Sequence, residues 1–313
     1  MSPLATVGSN PTLSARVNEA LASFRSANSG GNHVRFFRRK PPKVGLALSS
    51  GAARGLAHIG VLKALREASV PVDMIAGTSM GAMIGACFAR EGEITAFEEI
   101  ALNTGWRELA RLLDPSFGSL GKGLIRGQRI EALLRSVIGG VEFKDLKIPF
   151  VAIATDINTG REVVIRNGSV VEAVRASISI PGIFVPVALE DRCLVDGGLT
   201  NPVPTDVLQA MGAKLIVAVN VLVEPLKSRR AVDPSKEGGM VEVPNIFNTL
   251  IQSIYIMEYE IIKARIVKAD IVISPDVSHI EAFEFHRGEE AILAGYEAAR
   301  KVLSKLGRLT GRR

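Results

Sequence analysis

Val72-Asp73-Met74-Ile75-Ala76-Gly77-Thr78-Ser79-Met80-Gly81, running into the small-residue stretch Ala82–Arg90, decides the fold of this 313-residue chain. The apolar run Val72–Ala76 has the length and composition of a buried strand. The segment Ala82–Arg90 has the pattern of a helix. Between them lies the G-x-S-x-G pentapeptide Gly77–Gly81. A sharp turn there lifts the serine Oγ out of the chain path, and the flanking glycines keep side chains off the crowded elbow. A serine so placed acts as a nucleophile if a neighbouring group takes its proton.

Working outward, strand-like and helix-like runs alternate from Lys43 onward. Strands are expected at Val44–Ser49, Val72–Ala76, Ile148–Ala154, Glu162–Ile165, Cys193–Val195, Leu215–Val221 and Ile271–Ser274. Helices are expected at Gly55–Ala68, Ala82–Arg90, Ser169–Ser177, Pro204–Met211, Asn245–Val267 and Arg287–Leu306. This alternation predicts an α/β fold with a mostly parallel central sheet flanked by helices. In such sheets reactive groups collect at the carboxyl ends of the strands. Residues 92–147 break the alternation and read as a helical insertion, with helices at Ile94–Thr104, Trp106–Leu113 and Gln128–Ile138. A helical insertion beside an elbow suits a substrate lid or a packed subdomain. The glycine-rich Gly118–Gly123 within it is not a phosphate-binding P-loop, because Gly123 follows Lys122 where Ser or Thr is required. In Asn245–Val267 the stripe Ile246, Leu250, Ile254, Met257 and Ile261 is expected to face the core.

The organisation that follows is an N-terminal arm at 1–42, a main domain at 43–306 and a basic tail at 307–313. The arm is rich in Ser, Asn and Gly, with a helical segment near Leu13–Ser26, and ends in Arg38-Arg39-Lys40-Pro41-Pro42. Residues 1–43 hold seven basic groups and one acid, and residues 300–313 hold six basic groups and no acid. Taken from totals of 38 and 32, these leave 25 basic and 31 acidic groups in 44–299, so the net charge of +6 comes from the ends. Basic ends suit peripheral contact with an anionic membrane or a nucleic acid, and solvated tails are the plainer reading. One Trp and three Tyr give little for base stacking, which argues against nucleic acid. Cys87 and Cys193 sit in apolar contexts and form no disulfide framework, as expected of buried thiols in a cytoplasmic protein. No signal-peptide core is visible, and the longest uncharged run, Met74–Ala89, is too short to span a bilayer.

Attack on a carbonyl needs donors for the oxyanion and a base. The donors are expected in Ser49-Ser50-Gly51-Ala52-Ala53-Arg54-Gly55, which ends a strand and opens a helix. Small residues allow close backbone approach, and first-turn N–H groups are unsatisfied. Arg54 either adds positive charge there or ties the loop to a carboxylate. A nucleotide-binding reading of this loop lacks both G-x-G-x-x-G spacing and a P-loop lysine. The base is less evident. His33 lies in the arm, and His58 sits inside the first helix, where packing or capping suits it best. His279 and His286 fall where an α/β-hydrolase histidine would, but without a strand-end glycine context. Asp196, in Val195-Asp196-Gly197-Gly198, ends a strand and is directed above the sheet by the two glycines. A turn-forming Asp-Gly is the alternative.

The small-residue loop, G-T-S-M-G and D-G-G, in this order, resemble the patatin-like phospholipase family. The likeness takes in Val44–Leu48, Arg54–Leu62, Gly77–Ala82, Pro149–Gly160 with Ala154-Thr155-Asp156, Ser179–Phe184, Val195–Gly198 and Asn201–Pro204. It covers Lys43–Val223 strongly. The resemblance implies a Ser–Asp dyad with Ser79 as nucleophile and Asp196 as direct base, and no cofactor or metal. It implies an oxyanion hole from the backbone around Gly51 and Ala52, within Gly51–Gly55 (Gly51, Ala52, Ala53, Arg54, Gly55) and supported by Arg54. Gly77, Gly81, Gly197 and Gly198 would shape the two turns. The implied substrates are lipid acyl esters. Relatives carry Gly where this chain has Ser50 and Ala52, so a positive φ at Ala52 would strain or shift the hole.

Three readings follow: a serine acyl hydrolase of lipid esters, a lipid- or partner-binding regulator with a degenerate site, and a Ser-His-Asp esterase using His286.

Overall fold

A computed structural model describes residues 41–103, 126–222, 224 and 246–311. In chain order the elements are β1 (Val44–Leu48), a 3-10 turn (Ala52–Leu56), α1 (Ala57–Glu67), β2 (Met74–Thr78), α2 (Met80–Glu91), α3 (Thr95–Asn103) and α4 (Gln128–Ile138). There follow β3 (Phe150–Asp156), β4 (Arg161–Ile165), α5 (Val170–Ser177), β5 (Val187–Leu189), β6 (Arg192–Asp196) and a 3-10 turn (Gly197–Leu199). The chain continues with α6 (Thr205–Ala210), β7 (Leu215–Val219), α7 (Ile246–Arg265), β8 (Ile271–Ile273), α8 (Gly288–Arg300) and α9 (Leu303–Leu309). The expected α/β fold is therefore present, with the strands ordered β5-β6-β3-β2-β1-β7-β8 and β4 beside β3. Pairings among β1, β2, β3, β7 and β8 are parallel, while β4, β5 and β6 add antiparallel pairings at one side.

Every residue of β1, β2, β3 and β7 is buried. Strands covered on both faces read as continuous apolar runs, which is why the sequence revealed them. Alternate side chains go to opposite faces. Leu46, Leu48, Ile75, Phe150 and Val217 join α1, α2, α5 and α8 in the larger apolar cluster. Ala47, Ala76, Val151, Ile153 and Ala218 meet α6 and Ile262 of α7 on the other face. Full burial of a side chain such as Leu46 or Ile75 contributes about 1.5–3 kcal/mol.

The registers explain how two distant segments meet. On one edge of β3, Phe150–Ile153 pair with Ile75–Thr78 of β2. The next residues, Ala154–Asp156, pair with Asp196–Leu194 of β6. The opposite edge of β3 is taken by β4. Strand β6 therefore continues the row of β2 from the opposite direction, and the two carboxyl-terminal ends meet head to head opposite Ile153 and Ala154.

Several expectations are corrected. Strand β2 starts at Met74 and runs up to Thr78, because Asp73 turns its carboxylate to accept the Val44 N–H at 2.7 Å. The helix expected from Gly55 opens with the 3-10 turn, and the helix Arg287–Leu306 is two helices. Strand β5 went unread, being three residues long with none of them fully buried. Residues 307–309, expected to open the tail, belong to α9, in which Leu306 is fully buried. Cys87 is buried, but Cys193 is only partly so.

In α7 the expected core stripe holds at Ile254, which is buried, but Ile246 is 86% and Met257 51% exposed, and the buried face is completed instead by Ile251, Glu258 and Ile262. Counting apolar residues missed this face because it includes a carboxyl. The described parts of the insertion pack into the larger cluster through Phe97, Ile130, Leu134 and Ile138. Its expected helix Trp106–Leu113 and the loop Gly118–Gly123 lie outside the described residues, as do most of the arm and His33. Among the described residues no helix is long and apolar enough to cross a membrane.

Candidate active site

Ser79 leaves β2 at φ 54, ψ −120 and caps the N-terminus of α2. A non-glycine residue with positive φ is strained, by about 1–3 kcal/mol, and must be held by its surroundings. Here the holding groups are explicit. Ser79 N–H donates to Ser177 Oγ at 2.9 Å, and the Ser177 hydroxyl donates to Ile153 O at 2.5 Å. Ser177, at the end of α5, thus bridges the seam where β2 and β6 both end. The glycines of the pentapeptide answer to packing. A methyl at Gly81 would overlap the Leu48 carbonyl, and one at Gly77 would overlap the Gly81 carbonyl.

The seam brings Ser79 to Asp196. Ser79 Oγ donates to Asp196 Oδ2 at 2.6 Å, and both residues are buried. Asp196 Oδ1 accepts the Gly198 N–H at 2.8 Å, which orients the carboxylate. Burial raises the proton affinity of Asp196 above that of an ordinary aspartate, outweighing the two hydrogen bonds that favour its charge. A methyl at Gly197 would overlap Ile153 O, so this turn must also be glycine to close on the seam.

The loop after β1 faces the pair. Gly51 stands at φ 151 and Ala52 at φ 46; both line the pocket with Ser79 and Asp196. The positive φ that would strain Ala52 is therefore present, at about 1–2 kcal/mol relative to glycine. Among the described residues the N–H groups of Gly51 and Ala52 donate to no other group. The loop expected as Gly51–Gly55 narrows beyond them. Ala53 N–H donates to Ala282 O at 2.9 Å. Arg54 is buried, donates from Nε to Ile280 O at 2.6 Å and lies over the Tyr255 ring. It ties the loop to the segment before α8 and is absent from the pocket lining. Gly55 makes room for Met80.

The motif Asn201-Pro202 braces both halves. Asn201 O accepts the Thr78 hydroxyl at 2.8 Å, and Pro202 O accepts the Ser50 N–H at 2.9 Å. His58 has the structural role expected. Its Nε2 meets Ser49 O at 2.9 Å, which makes that nitrogen the donor. Full burial pulls its pKa down to about 4, so the ring is neutral. Among the described residues no histidine lines the pocket; His279 pairs with Glu290 at 3.3 Å, and His286 is exposed. Asp156 ends β3 and holds the turn that follows it, accepting the Thr159 hydroxyl at 2.7 Å. Among the described residues no cluster of His, Cys, Asp or Glu has metal-site geometry.

Two groups escaped the sequence reading. Arg175 is buried in α5, donates to Ser179 Oγ at 2.6 Å and to Val185 O at 3.1 Å, and so fixes the loop carrying the pocket residue Ile180. Glu258 of α7 also lines the pocket. The sequence did not mark it out, because Glu260 stands in the same apolar stretch of the helix. With Ile251, Ile254 and Tyr255, Glu258 roofs Ser79. The cavity left is about 10 Å³, room for roughly one water molecule. The roof is α7; among the described residues none of 92–147 lines the pocket.

The chain is similar to known proteins. The chain is 41% identical over 180 residues to an uncharacterised NTE family protein of Mycobacterium tuberculosis, covering 58% of this chain and 49% of that one. It is 36% identical over 185 residues to neuropathy target esterase sws of Drosophila melanogaster, covering 57% and 13%. The chain thus spans about half the length of the first of these relatives and far less of the second. The solved structure of VipD from Legionella pneumophila superposes with a TM-score of 0.56 at 14% identity, covering 85% of this chain and 67% of that one, a likeness of fold. Residues 46–208, more than half of the chain, match the family described as patatin-like phospholipase; with the α/β sheet and its two facing turns, the chain belongs to that family.

Proposed function

We propose that the protein is a serine hydrolase of lipid acyl esters that works through Ser79 and Asp196 without a histidine. The observation that carries this reading is the 2.6 Å hydrogen bond from Ser79 Oγ to a buried carboxylate. The family and the esterase named among its relatives support the substrate class.

In the proposed reaction Asp196 takes the Ser79 hydroxyl proton as Oγ bonds to the ester carbonyl carbon. The carbonyl electron pair moves onto oxygen, where the Gly51 and Ala52 N–H groups stabilise it. On collapse the bond to the alcohol breaks, and the leaving oxygen takes the proton from Asp196. Water then gives a proton to Asp196 as its oxygen bonds to the acyl-serine carbonyl carbon; on collapse the bond from that carbon to Ser79 Oγ breaks, Oγ takes the proton back from Asp196, and the acid is released. A free aspartate near pH ~3.9 is a weak base at neutrality, and burial corrects this. A cavity of about 10 Å³ admits no ester, so substrate entry requires α7 to move aside.

Ser79→Ala tests the reading. Hydrolysis of a p-nitrophenyl ester and labelling by a fluorophosphonate are expected to vanish while circular dichroism stays native. Turnover or labelling persisting in the folded variant overturns it.

A further inference from the structure

The buried carboxyl of Glu258 has no part in the dyad, yet it lies in the same pocket. Its Oε2 accepts the Ser50 hydroxyl at 3.0 Å, which joins α7 to the loop that carries Gly51 and Ala52. Its Oε1 lies against Gly198, where a methyl would overlap it and sit 3.2 Å from Asp196 Oδ1. The two carboxyls are thus brought together over one glycine. We propose that Glu258 is a positioning residue of the pocket: its carboxyl joins the Ser50 loop to the Asp196 turn and sets the charge that stands beside Ser79 and Asp196. The proposal rests on the reading of Ser79 and Asp196 as nucleophile and base.

The order of ionisation follows from the partners. Asp196 has two donors for its charged form, the Ser79 hydroxyl and the Gly198 N–H. Glu258 has one, from Ser50, and faces the charge of Asp196. Two like charges in one buried site cannot both ionise readily, so Asp196 ionises first. Burial, and then Asp196, hold the Glu258 carboxyl well above the ordinary glutamate range. The other facing groups do not alter this order. Tyr255, beside it on α7, is kept neutral by burial, and the Arg54 guanidinium lies 5.8 Å from the centre of the Tyr255 ring and is held to Ile280.

Loss of the Glu258 proton puts a second negative charge next to the groups that must stabilise an oxyanion. The transition state gains negative charge there, so it suffers more than the ground state. Activity should therefore need Asp196 ionised and Glu258 protonated, which gives a bell-shaped pH dependence. Its acid limb belongs to Asp196 and its alkaline limb to Glu258.

The experiment is a pH profile of kcat/KM on a p-nitrophenyl ester for wild type, Glu258→Gln and Glu258→Asp, with Ser79→Ala as blank. Glu258→Gln is expected to keep the acid limb and to lose the alkaline one. Glu258→Asp should keep an alkaline limb with a displaced midpoint, and it carries the test alone if the Gln variant does not fold. A purely structural Glu258 predicts the same fold loss at every pH and unmoved limbs, and that result overturns the proposal. The two failures are separable. An inactive Ser79→Ala with unmoved limbs in the Glu258 variants removes this role alone, whereas an active Ser79→Ala removes the dyad with it.

Discussion

Replacing Asp196 by Asn should make the protein more stable and inactive at once. The isostere keeps the shape and can still accept the Gly198 N–H, but it carries no charge. The charge is what the fold tolerates poorly. Burial raises the Asp196 proton affinity and outweighs the hydrogen bonds from Ser79 and Gly198. A carboxyl whose pKa is higher folded than unfolded destabilises the fold once it must ionise. Its penalty is absent below the unfolded value of ~3.9, grows as pH rises towards the folded value and is complete above it. Each unit of that rise corresponds to ~1.4 kcal/mol, so Asp196→Asn should gain about 1–3 kcal/mol at pH ~7.5. For a domain of this order that is a rise in Tm of about 2–6 °C. Removal of the charge also relieves Glu258, whose proton affinity Asp196 raises, so the second effect has the same sign. Activity should fall by about 10²–10⁴, the usual contribution of a general base. Urea melts of variant and wild type at pH ~7.5, 6 and 4.5 would measure the difference, which should shrink as pH falls. A less stable variant at neutral pH, or a gap that does not change with pH, would falsify the account of Asp196 as a strained buried charge.

Two further outcomes follow. His58 behaves oppositely, because its pKa is pulled down from 6.5 to about 4: its buried neutral ring contributes stability that is present above pH ~6.5 and is lost as pH falls through the folded value, up to about 3 kcal/mol. Glu or Gln at 58 could not accept this role equally, but neutral Gln removes the titration, so melts of His58→Gln at pH ~7.5 and ~5 should show a smaller acid loss than wild type; an equal loss refutes the assignment. Ala52→Gly removes a left-handed strain of about 1–2 kcal/mol and a buried methyl worth about 0.8 kcal/mol. Stability should change by no more than about 1 kcal/mol and kcat should hold or rise, and a tenfold fall in kcat would show that the methyl itself shapes the hole.

Much of this was legible in the chain, for a physical reason. Strands such as Val44–Leu48 and Phe150–Asp156 are buried on both faces, so their apolar runs stand out. The two glycine-flanked turns are legible because each is crowded by backbone: the Leu48 carbonyl at Gly81 and the Ile153 carbonyl at Gly197. What was illegible depends on pairing rather than on pattern. Nothing in 246–265 says that its buried face carries Glu258 and Tyr255, because that face covers a polar pocket and helical periodicity counts apolar residues only. Ser177 gave no signal either, since a serine ending a helix is ordinary. Its role arises from the carbonyl of Ile153, left at the seam between two strands. For Arg54 the chain left open charge for the site or a tie to a carboxylate, and the partner it has, the Ile280 carbonyl, carries no sequence signal.

On the proposed Ser79–Asp196 reading, the seam also accounts for an aspartate where a G-x-S-x-G first suggests a histidine. In an all-parallel sheet the strand ends lie side by side, and a base must reach across from a loop, which suits the long imidazole side chain. Here β6 runs against β3, so its last residue arrives end-on to β2, one step from Ile153, the register partner of Thr78. The distance left between the two backbones is short, and an aspartate spans it with a 2.6 Å hydrogen bond. The same arrangement buries the carboxylate, and burial is what makes it basic. Reach and basicity thus have one origin in the antiparallel strand. A lengthened turn after Asp196, such as Gly inserted between Gly197 and Gly198, should therefore damage activity by moving Asp196 Oδ1 off its N–H donor while leaving the sheet intact.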